Sequence, residues 1–316
     1  MHKAIRVALA NSQQKVWFSA LTGRAGRSVT LVYDAASEYP LWVAKTAFTP
    51  HSCQILEREQ AMLEAVRPWA KELLIPETIS WDCSGTEACL ILTTVPGLHK
   101  HFTLPLYTEA AGRLTDLAPV LEWLDRFRKR VPAKILDKDA TSDTLAALNL
   151  CSDECASLPA MMEILQSTDA DEPVASHGDF WHCNLLFQGR RMGAVDWDSL
   201  AARSPTHDVF TLITGCRYQY GGHTEEHLNP TIFMSLFFSD SPVARYFRET
   251  IAQFHLKERQ LHHAFYCFVG DSIRVTGQPW RNTWFDIARI LQQAGFPAPW
   301  TCSLDADSSR ERRVGL

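Results

Sequence analysis

Much of what this chain can be is bounded by what it lacks. Its start, MHKAIRVALANSQQKVWF, holds no apolar run longer than VALA between polar residues, too short for a secretory core or a membrane span, so a cytoplasmic protein with no membrane partner is expected. Nine cysteines contain no C-x-x-C pair and are odd in number, which argues against a zinc knuckle and a disulfide framework. Cys151 and Cys155, four apart on an expected helix, read as ordinary buried or half-exposed thiols. No basic block interrupts a chain of 31 Lys+Arg against 36 Asp+Glu, net -5, so no nucleic-acid partner is expected. Internal repeats and low-complexity tracts are missing too.

What is present is a globular composition, 46% apolar over 316 residues, enough for a sizeable core in about two domains. The first hundred residues carry short β-type runs, KVWFSAL, SVTLVYDA, LWVAKTAF, TISWDC and ACLILTTV, separated by turn residues. They predict a small antiparallel sheet. One helical pattern, SCQILEREQAMLEAVRPWA, interrupts them, with Ser52 as its expected cap. Beyond VPGLH the patterns become long and helical, as in LEWLDRFRKR, SPVARYFRETIAQF and LKERQLHHAFYCFVGDSIRV. An α+β protein of two lobes follows: residues 1–95 a sheet lobe with one helix, residues 96–316 mainly helical, with Pro96-Gly97 as the hinge. The polar tail from Ser303 is expected to fray.

Lys and Arg are absent from Asp139 to Gly189 while nine acids fall there. Within that span, SHGDFWHCNLLF places His177, Asp179 and Asn184 in the spacing H-x-D-x-x-x-x-N, and the run continues through QGRRM to GAVDWD. Acids flanked by strands need compensation. The spacing suits phosphoryl transfer: Asp179 can accept a hydroxyl proton, Asn184 one tight turn later can offer its carbonyl oxygen to a metal, and a hairpin delivers Asp196 as a second metal ligand. Asp198 can assist the metal or cap the next turn. A two-metal phosphoesterase would share the G-D-x-x-H at Gly178, Asp179 and His182, but its D-x-H and G-N-H-[DE] partners are absent.

Phosphoryl transfer also requires a strand Lys for the α/β-phosphates and a helix Glu to orient it. LWVAK supplies Lys45. Glu57 and Glu59 on the following helix face different directions, so only one can point inward; Glu59 is the expected partner, with Glu57 as the alternative. Gly23 and Gly26 sit in a turn whose backbone N–H groups can approach phosphates, although the full G-x-G-x-x-G is missing.

At these residues the chain resembles the aminoglycoside phosphotransferase and choline kinase superfamily. The resemblance covers Leu21 to Ile213 discontinuously, through LVYDA, LWVAK, LEREQAMLEAV, CLILTTVPG, HGDFWHCNLLF, AVDWD and SPTHDVFTLI. It implies a bilobal protein-kinase-like fold and ATP- or GTP-dependent transfer of the γ-phosphoryl group, with Mg²⁺, to a small-molecule alcohol. Asp179 then matches the catalytic base, Asn184 and Asp196 the magnesium ligands, Lys45 and Glu59 the ion pair. Thr93, Thr94 and Val95 fall in the linker whose backbone reads the base. Asp208 matches a residue bracing the catalytic loop, and His177 a packing residue. Protein substrates are not expected, because D-W-D replaces D-F-G, Trp181 replaces the protein-kinase Lys, and no A-P-E segment follows.

The acid-rich span hints at an amine-bearing, aminoglycoside-like acceptor. Trp181, Tyr218, Tyr220, Trp280 and Trp284 could alternatively cage the quaternary ammonium of a choline-type substrate, and homoserine or a sugar are further alternatives. Trp181, His182, Glu225 and Glu226 are the candidate substrate contacts, the last two in the loop 217–230. From another class, a non-catalytic nucleotide-binding protein would have lost the base, the metal Asp or the Lys, and all three are here.

Overall fold

The computed structural model describes residues 16–22, 26–34, 39–99, 117–136, 158–167, 172–215, 230–275 and 280–294. Two compact units divide the chain: one takes Met1–Lys100, Pro119–Val131 and Cys183–Leu200, the other His101–Ala118, Pro132–His182 and Ala201–Leu316. Residues 119–131 and 183–200 therefore group with the sheet, beyond the expected boundary at 95.

The first unit is built on strands β1 (Val16–Thr22), β2 (Arg27–Asp34), β3 (Trp42–Ala47), β4 (Thr78–Cys83) and β5 (Ala88–Thr93), paired antiparallel in the order β1-β2-β3-β5-β4. Every expected strand is present. Alternation decides the faces: Ala44, Cys89 and Ile91 pack with Trp42 on one, while Ala47 and Ala88 pack on the other against Cys53 and Leu56 of helix α1 (Pro50–Val66). Residues buried on α1 recur at positions 53, 56, 59, 63 and 66, one helical stripe. The helix starts earlier than the sequence pattern predicts. Thr49 is the N-cap, accepting from the Ser52 N–H at 3.2 Å, while the Thr49 N–H donates to Ser52 Oγ at 3.0 Å, so Ser52 is the far member of a capping box.

After α1 come a 3-10 turn (Arg67–Trp69) and the short α2 (Ala70–Leu73). Helix α3 (Ala118–Arg130) ties back to the latter: Trp123 Nε1 donates to the Leu73 carbonyl at 2.7 Å, and Trp123 stacks on Phe127 with centroids 5.2 Å apart. Leu98 and Phe187 exchange backbone hydrogen bonds of 3.0 and 2.9 Å, so the chain just past Pro96-Gly97 is paired rather than free.

In the second unit, α4 (Pro159–Leu165) precedes β6 (Val174–Ser176). The hairpin β7 (Leu185–Gln188) and β8 (Arg191–Ala194), as expected from the sequence, belongs to the first unit. Strand β9 (Ala201–Arg203) then pairs with β6, and helices α5 (His207–Gly215), α6 (Pro230–Phe238), α7 (Pro242–Ala252), α8 (Glu258–Val275) and α9 (Trp280–Ala294) complete the described part. Their core is aromatic. Phe233 lies 4.7 Å from Phe237 and 5.4 Å from Trp284 by ring centroid, and Phe210 lies 5.1 Å from Phe265. Trp284, an expected cage candidate, is instead buried there and offers no ligand face. Among the described residues no helix is long and apolar enough to cross a membrane.

Candidate active site

Lys45 stands in the middle of the sheet, on β3 between Val29 of β2 and Leu90 of β5. Its Nζ donates to both carboxylate oxygens of Glu59, at 2.6 and 2.9 Å, and to Oδ1 of Asp196. Glu59 reaches it because helical spacing puts that carboxylate within the apolar stripe of α1, whereas Glu57 is exposed. Burial alone would lower the Lys45 pKa. The Glu59 and Asp196 carboxylates outweigh it and hold the ammonium above its ordinary range. Burial pushes the Glu59 carboxyl upward, against the pull of Lys45.

Asp196 follows β8 with φ 64°, the left-handed region that a non-glycine residue rarely adopts and that tends to mark functional positions. Its neighbour Trp197 supplies the constraint. The Trp197 N–H donates to Glu59 Oε1 at 3.3 Å, its indole N–H donates to the Ala194 carbonyl at 2.9 Å, and its ring packs against Phe127 at 5.5 Å. Asn184 is buried, and its carbonyl accepts from the Val195 N–H at 2.9 Å, so the two expected metal ligands come from adjacent backbone segments. Among the described residues no three His, Cys, Asp or Glu side chains converge on one point. That donor set still suits magnesium, which takes hard oxygen ligands from one or two carboxylates and completes its sphere with phosphates and water.

Beside Lys45 lies a cavity of about 400 Å³. Val29, Leu31 and Tyr33 of β2 wall it, the linker Thr93–Val95 forms part of the rim, and Lys45 and Asp196 stand among its polar groups. Thr93 and Thr94 have their hydroxyls committed, the first accepting from the Glu77 N–H at 2.7 Å and the second donating to the Pro40 carbonyl at 2.6 Å. A mostly apolar cavity of this volume with Lys45 among its lining residues has the size and chemistry to take a nucleotide. Gly26 lies in the β1–β2 turn at φ 76°, and a Cβ there would come within 2.9 Å of the Thr49 side chain, so only glycine fits.

The second unit carries Asp179. Asp208, in the first turn of α5 and fully buried, accepts from Ser176 Oγ at 2.8 Å, the His177 N–H at 3.1 Å and the Gly178 N–H at 3.0 Å. Three donors thus secure the segment that leads into Asp179. His177 is buried with its ring against Phe180 at 5.9 Å. Trp181 is half-buried and His182 buried, the two rings edge to face at 5.2 Å. Gly23, Tyr218, Tyr220, Glu225 and Glu226 lie outside the described residues.

Sequence reasoning missed Ser176, Trp197 and a buried charge cluster. In that cluster, Asp271 of α8 accepts from Arg203 Nε of β9 at 3.2 Å and lies 3.2 Å from His207 Nε2 of α5. Burial would raise the Asp271 pKa, but Arg203, His207 and Arg274 hold it well below the carboxylate range.

A model of the phosphotransferase enzyme family, APH, matches residues 23–233. Solved structures with the same fold include the aminoglycoside phosphotransferase APH(3'')-Id of Streptomyces rimosus ATCC10970 in complex with ADP and streptomycin, at 15% identity and TM-score 0.52, covering 86% of this chain and 98% of that one. A thermostable mutant of the aminoglycoside phosphotransferase APH(4)-Ia, in a ternary complex with AMP-PNP and hygromycin B, aligns over 100% of both chains at 13% identity and TM-score 0.57. The GDP and kanamycin complex of APH(2'')-IIIa aligns over 92% of this chain and 98% of that one, at 13% identity and TM-score 0.57. None of the curated proteins matches the chain in sequence.

Proposed function

Since the chain belongs to the phosphotransferase enzyme family, we propose that it is a cytoplasmic kinase moving the γ-phosphoryl group of ATP or GTP to a hydroxyl of a small amine-bearing molecule. The observation that carries this reading is Lys45, shared between Glu59 and Asp196 beside a mostly apolar cavity lined by the linker residues Thr93, Thr94 and Val95.

In this reading the base of the nucleotide lies between the β2 wall and the linker, and Lys45 donates to its phosphates. Asn184 and Asp196 would hold magnesium, which when bound neutralises phosphate charge. Asp179 accepts the proton of the acceptor hydroxyl as that oxygen bonds to the γ-phosphorus and the bond to the β-phosphate bridging oxygen breaks, releasing the nucleoside diphosphate. Asp208 keeps the Asp179 segment in place. Most of the acceleration is positioning and preorganised charge.

An amine-bearing acceptor is supported by the acid-rich, base-free span 139–189 and by relatives of the same fold whose complexes hold streptomycin, hygromycin B and kanamycin. A binding-only role is disfavoured because Lys45, Asp179 and Asp196 are all retained.

The test is nucleoside-diphosphate release with Mg-ATP and Mg-GTP against aminoglycosides, choline, ethanolamine, homoserine and sugars, with Asp179→Asn as the blank. Turnover with an aminoglycoside, lost in Asp179→Asn and in Asp196→Asn, is the expected result. Turnover confined to choline, homoserine or a sugar would keep the kinase and replace the acceptor. Turnover that survives Asp179→Asn would remove the assigned base.

A further inference from the structure

The alternation of β2 extends past the cavity wall. Side chains on a strand point to opposite faces in turn, and Val29, Leu31 and Tyr33 all line the cavity. Arg27, two residues ahead of Val29, stands on that same face. Register fixes how far along it lies. Val29 pairs with Lys45 and Arg27 with Ala47, while Trp42, at the other end of β3, pairs with Thr93 of the linker. Arg27 is therefore one pleat beyond Lys45, on the side away from the linker.

Its guanidinium reaches the carboxylate of Asp198, two residues after Asp196, at 3.6 Å, and both side chains keep solvent access, 33% and 26%. Asp198 also accepts from the Ser199 hydroxyl at 3.2 Å, which steadies it. The backbone before Arg27 is held as well: the Gly26 carbonyl accepts from the Phe48 N–H at 2.9 Å and from the Ser52 hydroxyl at 3.3 Å.

Charge supplies the motive. Lys45 is the one Lys or Arg among the described residues lining the cavity, and two carboxylates already share it. Even with a divalent cation bound, a triphosphate beside those two carboxylates brings more negative charge than the cation and that ammonium balance. Guanidinium has five N–H donors in a planar fork, so it can keep a carboxylate on one edge and take a phosphate on another.

We propose that Arg27, aimed by Asp198, binds the terminal phosphate of the nucleotide. The inference rests on the reading above, in which the cavity holds a nucleoside triphosphate with its phosphates at Lys45.

Calorimetric titration of the full chain with Mg-ADP and with Mg-AMP-PNP tests it, on the wild type, Arg27→Lys and Arg27→Met. Loss of a charged hydrogen bond predicts that Arg27→Met binds AMP-PNP roughly tenfold or more weakly while ADP affinity stays within about twofold, with Arg27→Lys between the two. Retained ADP binding also shows that the variant is folded. Equal weakening of both nucleotides, or of neither, overturns the role of Arg27 and leaves the nucleotide site standing. A wild type that binds neither nucleotide overturns both together.

Discussion

Lys45 holds Glu59 by two hydrogen bonds, Nζ to Oε1 at 2.6 Å and to Oε2 at 2.9 Å, across the interface of β3 and α1. Removing one partner of such a pair strands the other charge in a dry site. Lys45→Met is expected to lower unfolding free energy by about 3–5 kcal/mol, and Lys45→Met/Glu59→Leu to regain most of it. Urea denaturation of the two variants checks this. A double variant no more stable than the single would mean that the pairing is not what costs the single its stability.

Asp208 is the acceptor for three donors in the segment before Asp179. In Asp208→Ala those donors lose their partner, the segment is freed, and kcat is expected to fall roughly tenfold or more, while nucleotide affinity changes by less than about twofold. Steady-state kinetics paired with ADP titration separates the two. Nucleotide affinity falling in step with kcat would show a general loss of fold instead.

Helix α5 meets the same loop at its other end. A Cβ on Gly215 would lie 2.9 Å from Trp181 Cβ, so Gly215→Ala must displace Trp181 and with it the loop beyond Asp179. Reduced kcat is expected, and Trp181→Gly/Gly215→Ala should be no worse than Trp181→Gly alone, a coupling that a double-mutant cycle measures. Additive losses would mean that the contact carries no effect.

His207 makes stability pH-dependent. Burial, with Arg203 nearby, holds its pKa below the ordinary value, opposed by Asp271 and Asp208, and its Nδ1 is buried without a hydrogen-bond partner. The unfolded chain therefore binds the proton more readily than the folded one. The stability involved is complete above the unfolded pKa, about 6.5, and is lost as pH falls below it. Thermal unfolding midpoints measured between pH 8 and pH 5 should drop toward acid in the wild type and drop less in His207→Gln; equal slopes would assign the acid sensitivity to other groups.

How much was legible in the chain beforehand follows from what each feature depends on. All five sheet strands were readable because alternation and turn residues are local signals, and so was the hairpin of β7 and β8. The cap of α1 was placed late because Thr49-Pro50-His51-Ser52 contains two capping residues, and only the backbone distinguishes an N-cap from its box partner. Helix α6, PTIFMSLFF, is apolar almost throughout and has no period to read. The pairing of β6 with β9 spans three residues on each side, too few for any pattern.

For the site, residue types and spacing by themselves determined Lys45, Asp179, Asn184 and Asp196 as candidates, because the chemistry demands those groups in that order along the chain. Tertiary structure alone decided the contacts between segments far apart in sequence: that Glu59 rather than Glu57 meets Lys45, that Trp197 packs on Phe127, that Arg27 meets Asp198, and that Trp284 is core. A local pattern records which face a side chain takes. What stands opposite that face depends on how the chain returns, and no short window of sequence contains it.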